Sequence, residues 1–245
     1  MNIKKNYLPS KRSFVDNFLV MEVLAQSQKI QKTGRKIFHF ELGEPIPRTP
    51  KKILNEAKRL INLNLPGYTP SNGIKELREK ISEHYLARKI KVNASNIFIT
   101  TGSSGAFLLT FLSCFDPGDR VVIFNPSYPA YRNILKSLNI EVIEINPSKN
   151  NLSLINLRKV KKYKNIKGII ISSPNNPNGQ VFDYDELKFI YEYCKENSIR
   201  LISDEIYHGI EYGKFCHCLK SFGKDAIIIN SFSKYFCMPG WRLGW

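Results

Sequence analysis

The residues best equipped for chemistry stand in Asn230-Ser231-Phe232-Ser233-Lys234-Tyr235-Phe236, where one lysine sits among small hydroxyl residues and aromatics. It follows Ala226-Ile227-Ile228-Ile229, an apolar run too short for a helix and read as the end of a buried strand. A merely solubilising lysine is out of place there. Arg242 follows within a Gly-Trp…Gly-Trp frame. Upstream, Arg200-Leu201-Ile202-Ser203 reads as a strand ending in Asp204, with Tyr207 three residues on. Such an aspartate could bind Mg²⁺ or cap a helix. Paired with a lysine on the next strand's end, it suggests sharper chemistry. A buried carboxylate can keep a pyridine nitrogen protonated, because opposite charge raises that nitrogen's pKa. The protonated ring is then an electron sink for a carbanion at a substrate Cα.

Three other strand ends carry polar punctuation. Thr101-Gly102-Ser103-Ser104-Gly105-Ala106-Phe107 follows Ile97-Thr100 and opens a helix. Its free N–H groups and the Ser103 and Ser104 hydroxyls make a phosphate cradle. A tight strand-to-helix turn explains it equally well, since it has neither a P-loop lysine nor a dinucleotide fingerprint. Asn125-Pro126-Ser127-Tyr128-Pro129 is a proline-rich helix entry, or a place where Tyr128 stacks on a planar ring. Pro174-Asn175-Asn176-Pro177-Asn178-Gly179 is a turn by composition, and the Asn176 amide could bind a ring hydroxyl or a carboxylate. Cys216-His217-Cys218 invites a zinc reading, but ligands that close rarely wrap one tetrahedral ion and no second pair is nearby, so no metal is expected.

The chain has 245 residues, ample for a large core, and its 42% hydrophobic and 24% charged content is that of a soluble globular protein. The net charge of +16 raises nucleic-acid binding. The lysines are scattered through every segment, however, and the densest run, Arg158 to Lys164, reads as a solvated helix face, so no nucleic-acid partner is expected. No apolar run approaches the ~18 residues of a membrane span. Met1 to Ser13 is basic without an apolar h-region, which argues against a secretory signal; a mitochondrial presequence is interrupted by Asp16 and Glu22. Five cysteines without framework spacing fit a reducing cytoplasm.

These residues must be held by a framework, and its pattern alternates. Phe14, Phe18, Met21, Leu24 and Ala25 share a helical stripe that Ser13 can cap and Gly34 can end. Ile37 to Leu42 reads as extended and breaks at Gly43-Glu44-Pro45. Helices are expected over Lys51 to Leu63 and from Ile74 through Tyr85, with a loop from Leu65 to Gly73 between them. Strands are expected at Ile97–Thr100, Arg120–Phe124, Glu141–Ile145, Lys167–Ser172, Arg200–Ser203 and Asp225–Asn230. Unbroken runs such as Val121-Val122-Ile123-Phe124 are the mark of strands buried on both faces. Strand, helix, strand in that order predicts a mostly parallel sheet in a three-layer α/β/α domain. Ligands of such sheets bind outside the carboxyl ends of the strands, where the polar residues above fall.

Taken together, the Lys234 segment, the Asp204-x-x-Tyr207 motif and the intervening turns resemble the class I/II pyridoxal-phosphate (PLP) aminotransferases, from about Leu42 to Trp245. The resemblance implies a Lys234 aldimine with the cofactor, Asp204 as partner of its ring nitrogen, and Tyr207 with Asn176 at its ring hydroxyl. It places phosphate binding on Gly102, Ser103, Ser104, Ser231 and Arg242, and ring stacking on Tyr128. The Gly67-Tyr68-Thr69-Pro70 loop resembles the segment whose tyrosine reaches the neighbouring subunit's phosphate, which implies a homodimer. Gly43 and Asn176 are placed near the substrate carboxylate. The activity implied is amino-group exchange between an amino acid and a 2-oxo acid, with an arm and helix at 1–45 belonging to a small domain and a PLP-binding large domain at 46–245. Family members continue past the Gly-Trp-Arg-Leu-Gly-Trp segment, which begins an antiparallel strand of their sheet. The later part carries an arginine for the substrate carboxylate that nothing here matches, so the large domain is expected to be incomplete. An inactive PLP-fold remnant or binding module, and another PLP reaction such as β-elimination, are the alternatives.

Overall fold

The computed structural model describes residues 8–63, 67–146 and 157–245. The basic arm and the loop from Leu65 lie partly outside these residues. Apolar runs in the second half of the chain become parallel strands: β1 (Arg120–Phe124), β2 (Glu141–Ile145), β3 (Ile166–Ser172), β4 (Arg200–Asp204) and β5 (Ile227–Ile229). They lie in the order β2-β1-β3-β4-β5, with every neighbouring pair parallel. Helices cover both faces: α4 (Gly102–Cys114) and α5 (Pro129–Ser137) on one, α7 (Tyr184–Glu196) on the other.

Period-two alternation divides each strand between two cores. Val121, Ile123, Ile170 and Ile202 pack with Phe107, Phe111 and Leu135 of α4 and α5. Val122, Ile169, Ile171 and Leu201 pack with Leu187, Ile190 and Cys194 of α7. That is why these runs contain no polar residue, and it gives the expected three-layer α/β/α architecture. Helix α7 starts where Asp183 and Glu186 form a reciprocal capping box. A third cluster joins Ile81 and Tyr85 of α3 (Lys75–Ala87) to Ile90, Ile97, Cys218 and Trp245.

The sheet does not end at β5. Residues 243–245 run antiparallel between Thr100 and the Asn230–Phe232 backbone. Thr100 N donates to Gly244 O at 2.8 Å and Gly244 N to Thr100 O at 3.0 Å; Asn230 and Trp245 exchange bonds of 2.9 and 3.0 Å. Expectation and structure differ here. Of Ile97–Thr100 only Thr100 pairs, and the strand expected at Asp225–Asn230 shrinks to Ile227–Ile229. Trp241 and Arg242 do not pair because a 3₁₀ turn over Pro239–Trp241 and a left-handed Arg242 (φ 52°) turn the chain first.

Other differences have local causes. Helix α2 (Lys51–Asn62) and α3 begin as expected, but α1 spans Leu19–Gln31, not a stretch capped by Ser13. Asn133 Nδ2 donates to Asp16 O at 2.9 Å and Lys136 Nζ to Asp16 Oδ2 at 2.8 Å. These bonds draw the segment along α5, and Phe14 stays exposed rather than sharing the helical stripe. Ile37 to Leu42 joins no strand among the described residues. Of the basic run only the start is helical: α6 spans Leu157–Val160, Val160 is buried, and Lys161 to Lys164 form an exposed turn into β3.

Candidate functional site

The polar residues gather where the strands end. Asp204 is the last residue of β4 and Lys234 follows β5 by a short turn, so neighbouring parallel strands deliver an acid and an amine to one edge. Asp204 is wholly buried. Its Oδ2 accepts a hydrogen bond from the Tyr131 hydroxyl, and its Oδ1 one from Ile206 N at 3.1 Å. Burial raises its pKa to about 6, against the lowering effect of those two donors and of the Lys234 charge. The Lys234 ammonium donates to Gly43 O at 2.5 Å and lies 5.9 Å from the centre of the Tyr207 ring. Burial lowers its pKa, while the carboxylates of Glu44 and Asp204 oppose that.

Tyr207, one turn beyond Asp204, accepts a hydrogen bond from Asn176 Nδ2 at 3.1 Å. Burial first, and the Asp204 charge second, push this phenol up to about 12. Asn176 is positioned through its neighbour: buried Asn175 donates to Pro126 O at 3.0 Å and to Asn178 Oδ1 at 2.8 Å, tying the loops after β1 and β3 together. Tyr128 stands at the entry to α5, its ring edge-on to Tyr131 (5.5 Å) and Phe18 (5.7 Å). Burial raises the Tyr128 pKa, and Arg242 and a hydrogen bond with Ser104 oppose this.

The N-terminus of α4 forms the opposite wall. Gly102 has φ +72°, and a Cβ there would lie 2.5 Å from Arg242 Nη2, so the guanidinium rests directly over the first turn, where Gly102 N donates to Thr100 O and the next N–H groups have no intrahelical acceptor. Gly244 is as tightly placed: a Cβ would meet Gly102 C at 2.6 Å and Ser103 N at 2.9 Å. Ser231, buried, pairs with Gly244 and keeps its hydroxyl within 2.5 Å of Ser233 Oγ. Gly102, Ser103, Ser104, Ser231 and Arg242 thus surround one positively charged recess, although Gly102 and Arg242 lie far apart in the chain.

Tyr68 is not brought to this site. It is fully exposed and makes no hydrogen bond or ring contact with the others. Cys216 and Cys218 are buried, while His217 packs against Tyr184 and Phe215. Among the described residues no three His, Cys, Asp or Glu side chains converge as for a metal. Sequence reasoning missed Tyr131, Glu44, Glu205 and His208. Tyr131 had a signal: it stands one helical turn after Tyr128, on the same face. Glu205 and His208 adjoin named residues but point to the other side of β4.

Comparison with known proteins finds one family throughout. The model of the family "Aminotransferase class I and II" matches residues 36–245. The valine–pyruvate aminotransferase of Mycobacterium tuberculosis is 40% identical over 96% of this chain and 61% of its own length. The (5-formylfuran-3-yl)methyl phosphate transaminase of Methanocaldococcus jannaschii is 40% identical over 94% of the chain and 60% of its own. Among solved structures, an aminotransferase from Mycobacterium tuberculosis superposes with a TM-score of 0.93 at 38% identity, covering 98% of this chain and 63% of that one. The aspartate aminotransferase of Thermus thermophilus with maleate gives 0.91 at 25% identity, over 97% and 64%. The chain therefore spans about three fifths of the length of these relatives.

Proposed function

From the class I and II aminotransferases, the family to which this chain belongs, we propose that the protein binds pyridoxal 5′-phosphate and exchanges an amino group between an amino acid and a 2-oxo acid. One observation carries the reading: a buried carboxylate and a half-buried lysine stand on adjoining strand ends, facing a cationic helix N-terminus.

The residues present fit the cofactor. A phosphate is suited to the recess at Gly102, Ser103, Ser104 and Ser231, where free N–H groups meet the fork of Arg242. When bound, PLP supplies the electron sink for breaking a bond at the substrate Cα. Lys234 Nζ would be the group that holds the cofactor's aldehyde end, and its lowered pKa leaves more of the amine uncharged near neutral pH. The same amine would serve as the acid–base group that carries a proton during amino-group exchange. Asp204 would keep the ring nitrogen protonated, Tyr207 and Asn176 would hold the ring hydroxyl, and Tyr128 would stack on the ring. Asn176 and the Gly43 backbone serve the substrate carboxylate.

Tyr68, fully exposed, suits a contact with the phosphate of a second copy, and so a homodimer. Residues 1–45 would belong to a small domain and 46–245 to the PLP-binding one. Five free cysteines support a cytoplasmic setting. The relatives' names cover valine–pyruvate, aspartate and a furan phosphate, all as amino-group transfers, which favours transamination over elimination on the same lysine.

The test is borohydride reduction of the PLP-treated protein followed by peptide mapping. The pyridoxyl group is expected on Lys234, and labelling of another lysine in a folded sample overturns the assignment.

A further inference from the structure

Tyr131 is wholly buried, and its ring is wedged between Phe107, centroids 4.8 Å apart, and Tyr128 at 5.5 Å. Its hydroxyl donates to Asp204 Oδ2 and also meets the Ser172 side chain. The acceptor is a carboxylate, and donor and acceptor are both buried. We propose that Tyr131 is a positioning residue for the reaction, a neutral donor that keeps Asp204 charged and oriented without cancelling its charge. The inference rests on the PLP reading above.

Neutrality is the point of the argument. A carboxylate carried into the interior loses hydration and protonates unless donors replace the water. An arginine or lysine would do this but would also neutralise the charge that must act on a ring nitrogen. A phenol solvates the anion and leaves its full charge in place. Nor does it give up its proton, because burial and the adjacent Asp204 push its own pKa well above the usual phenol value. The other groups acting on Asp204 are the Ile206 N–H, Glu205, which opposes its charge, and Lys234, which favours it. Tyr207 and Tyr128 feel that charge in turn. Lys234 acts on Asp204 only through its charge, which leaves Tyr131 as the side-chain hydrogen-bond donor.

The holoprotein loaded with ¹⁵N-labelled PLP reports ring-nitrogen protonation by NMR, independently of turnover. Tyr131→Phe is expected to move the deprotonation of that nitrogen to lower pH by about one to two units, tenfold or more in the equilibrium. In an Asp204→Asn background the same substitution should move nothing. Tyr131→3-fluorotyrosine, nearly isosteric and a stronger donor, should move it the other way, and this keeps the test open should Tyr131→Phe not fold. An unshifted transition in both Tyr131 variants overturns the inference, as does an equal shift in the Asp204→Asn background. Failure of the unaltered protein to take up PLP would instead sink the cofactor reading itself.

Discussion

Asp204 and Glu205 are adjacent, both buried, and held by opposite means. Glu205 Oε1 accepts from Leu219 N at 2.9 Å and Ser203 Oγ at 3.2 Å, and Oε2 lies 3.5 Å from His208 Nδ1. His208 donates from Nε2 to Ser173 O and accepts from Arg88, which also donates to Cys216 O. Every partner on that side is committed to joining loops: the turn after β3, the end of α3 and the segment entering β5. Asp204, on the opposite face of the strand, joins little. It has two donors, its pKa stands near 6, and the cost of its burial is left partly uncompensated. Glu205 ties loops together through Oε1, with Oε2 buried and, among the described residues, without a hydrogen bond of its own; Asp204 has one donor on each oxygen and faces the Lys234 edge of the sheet.

That contrast can be broken in order of size. Asp204→Asn in the PLP-loaded protein is expected to slow the amino-transfer half-reaction by on the order of 10²–10³, while Glu205→Gln changes it by less than about threefold. Single-turnover absorbance with an amino acid reads both, and comparable losses would erase the distinction.

The second effect is on stability. In the apoprotein, Asp204 titrates near 6 when folded against 3.8 for the ordinary group. Between those values the folded chain holds a proton that the unfolded chain has released. Stability from this group is therefore gained as pH falls from about 6 toward 4 and lost as pH rises through 6, by on the order of 2–3 kcal/mol. Urea midpoints against pH should show this slope, and Asp204→Asn should flatten it; a slope that survives the substitution belongs to another group.

Third, Glu205→Gln should cost about 1–3 kcal/mol of unfolding free energy near neutral pH. There, Asp204→Asn should be neutral or stabilising in the apoprotein. Chemical denaturation of the two variants side by side decides it. The smallest effect is expected at Arg88→Lys, about 1 kcal/mol, because one bond, to His208 or to Cys216 O, survives the loss of the fork.

The parts legible in the sequence were those whose signal is local. Val121 to Phe124 and Ile169 to Ile171 announce doubly buried strands by lacking any polar residue, and Asp204 and Lys234 stand out because they end such runs. Tyr131 was passed over because an aromatic near a helix start reads as core, and its acceptor lies far along the chain. The antiparallel pairing of 243–245 was foreseen from the family resemblance and not from any strand pattern of its own, since it is decided by what flanks it. The start of α1 was misplaced for the same reason: Asp16 is held by α5, and no helix-capping pattern reveals a competitor. Tyr68 has an expected role on another subunit and is exposed in this one, so a single chain's fold is silent on it.

The three-residue clip at 243–245 has a kinetic and thermodynamic side. It hydrogen-bonds Thr100, beside one wall of the cationic recess, to Asn230, beside the other. Arg242 is the residue just before it, so occupying the recess and closing the clip draw on the same few backbone torsions. These amides also close the largest sequence gap in the sheet, and such non-local contacts form late in folding. Opening of the clip should therefore be the lowest-energy local fluctuation of this sheet edge. A phosphate in the recess should slow hydrogen exchange at the Gly244 and Trp245 amides well before it changes exchange in β1 or β3.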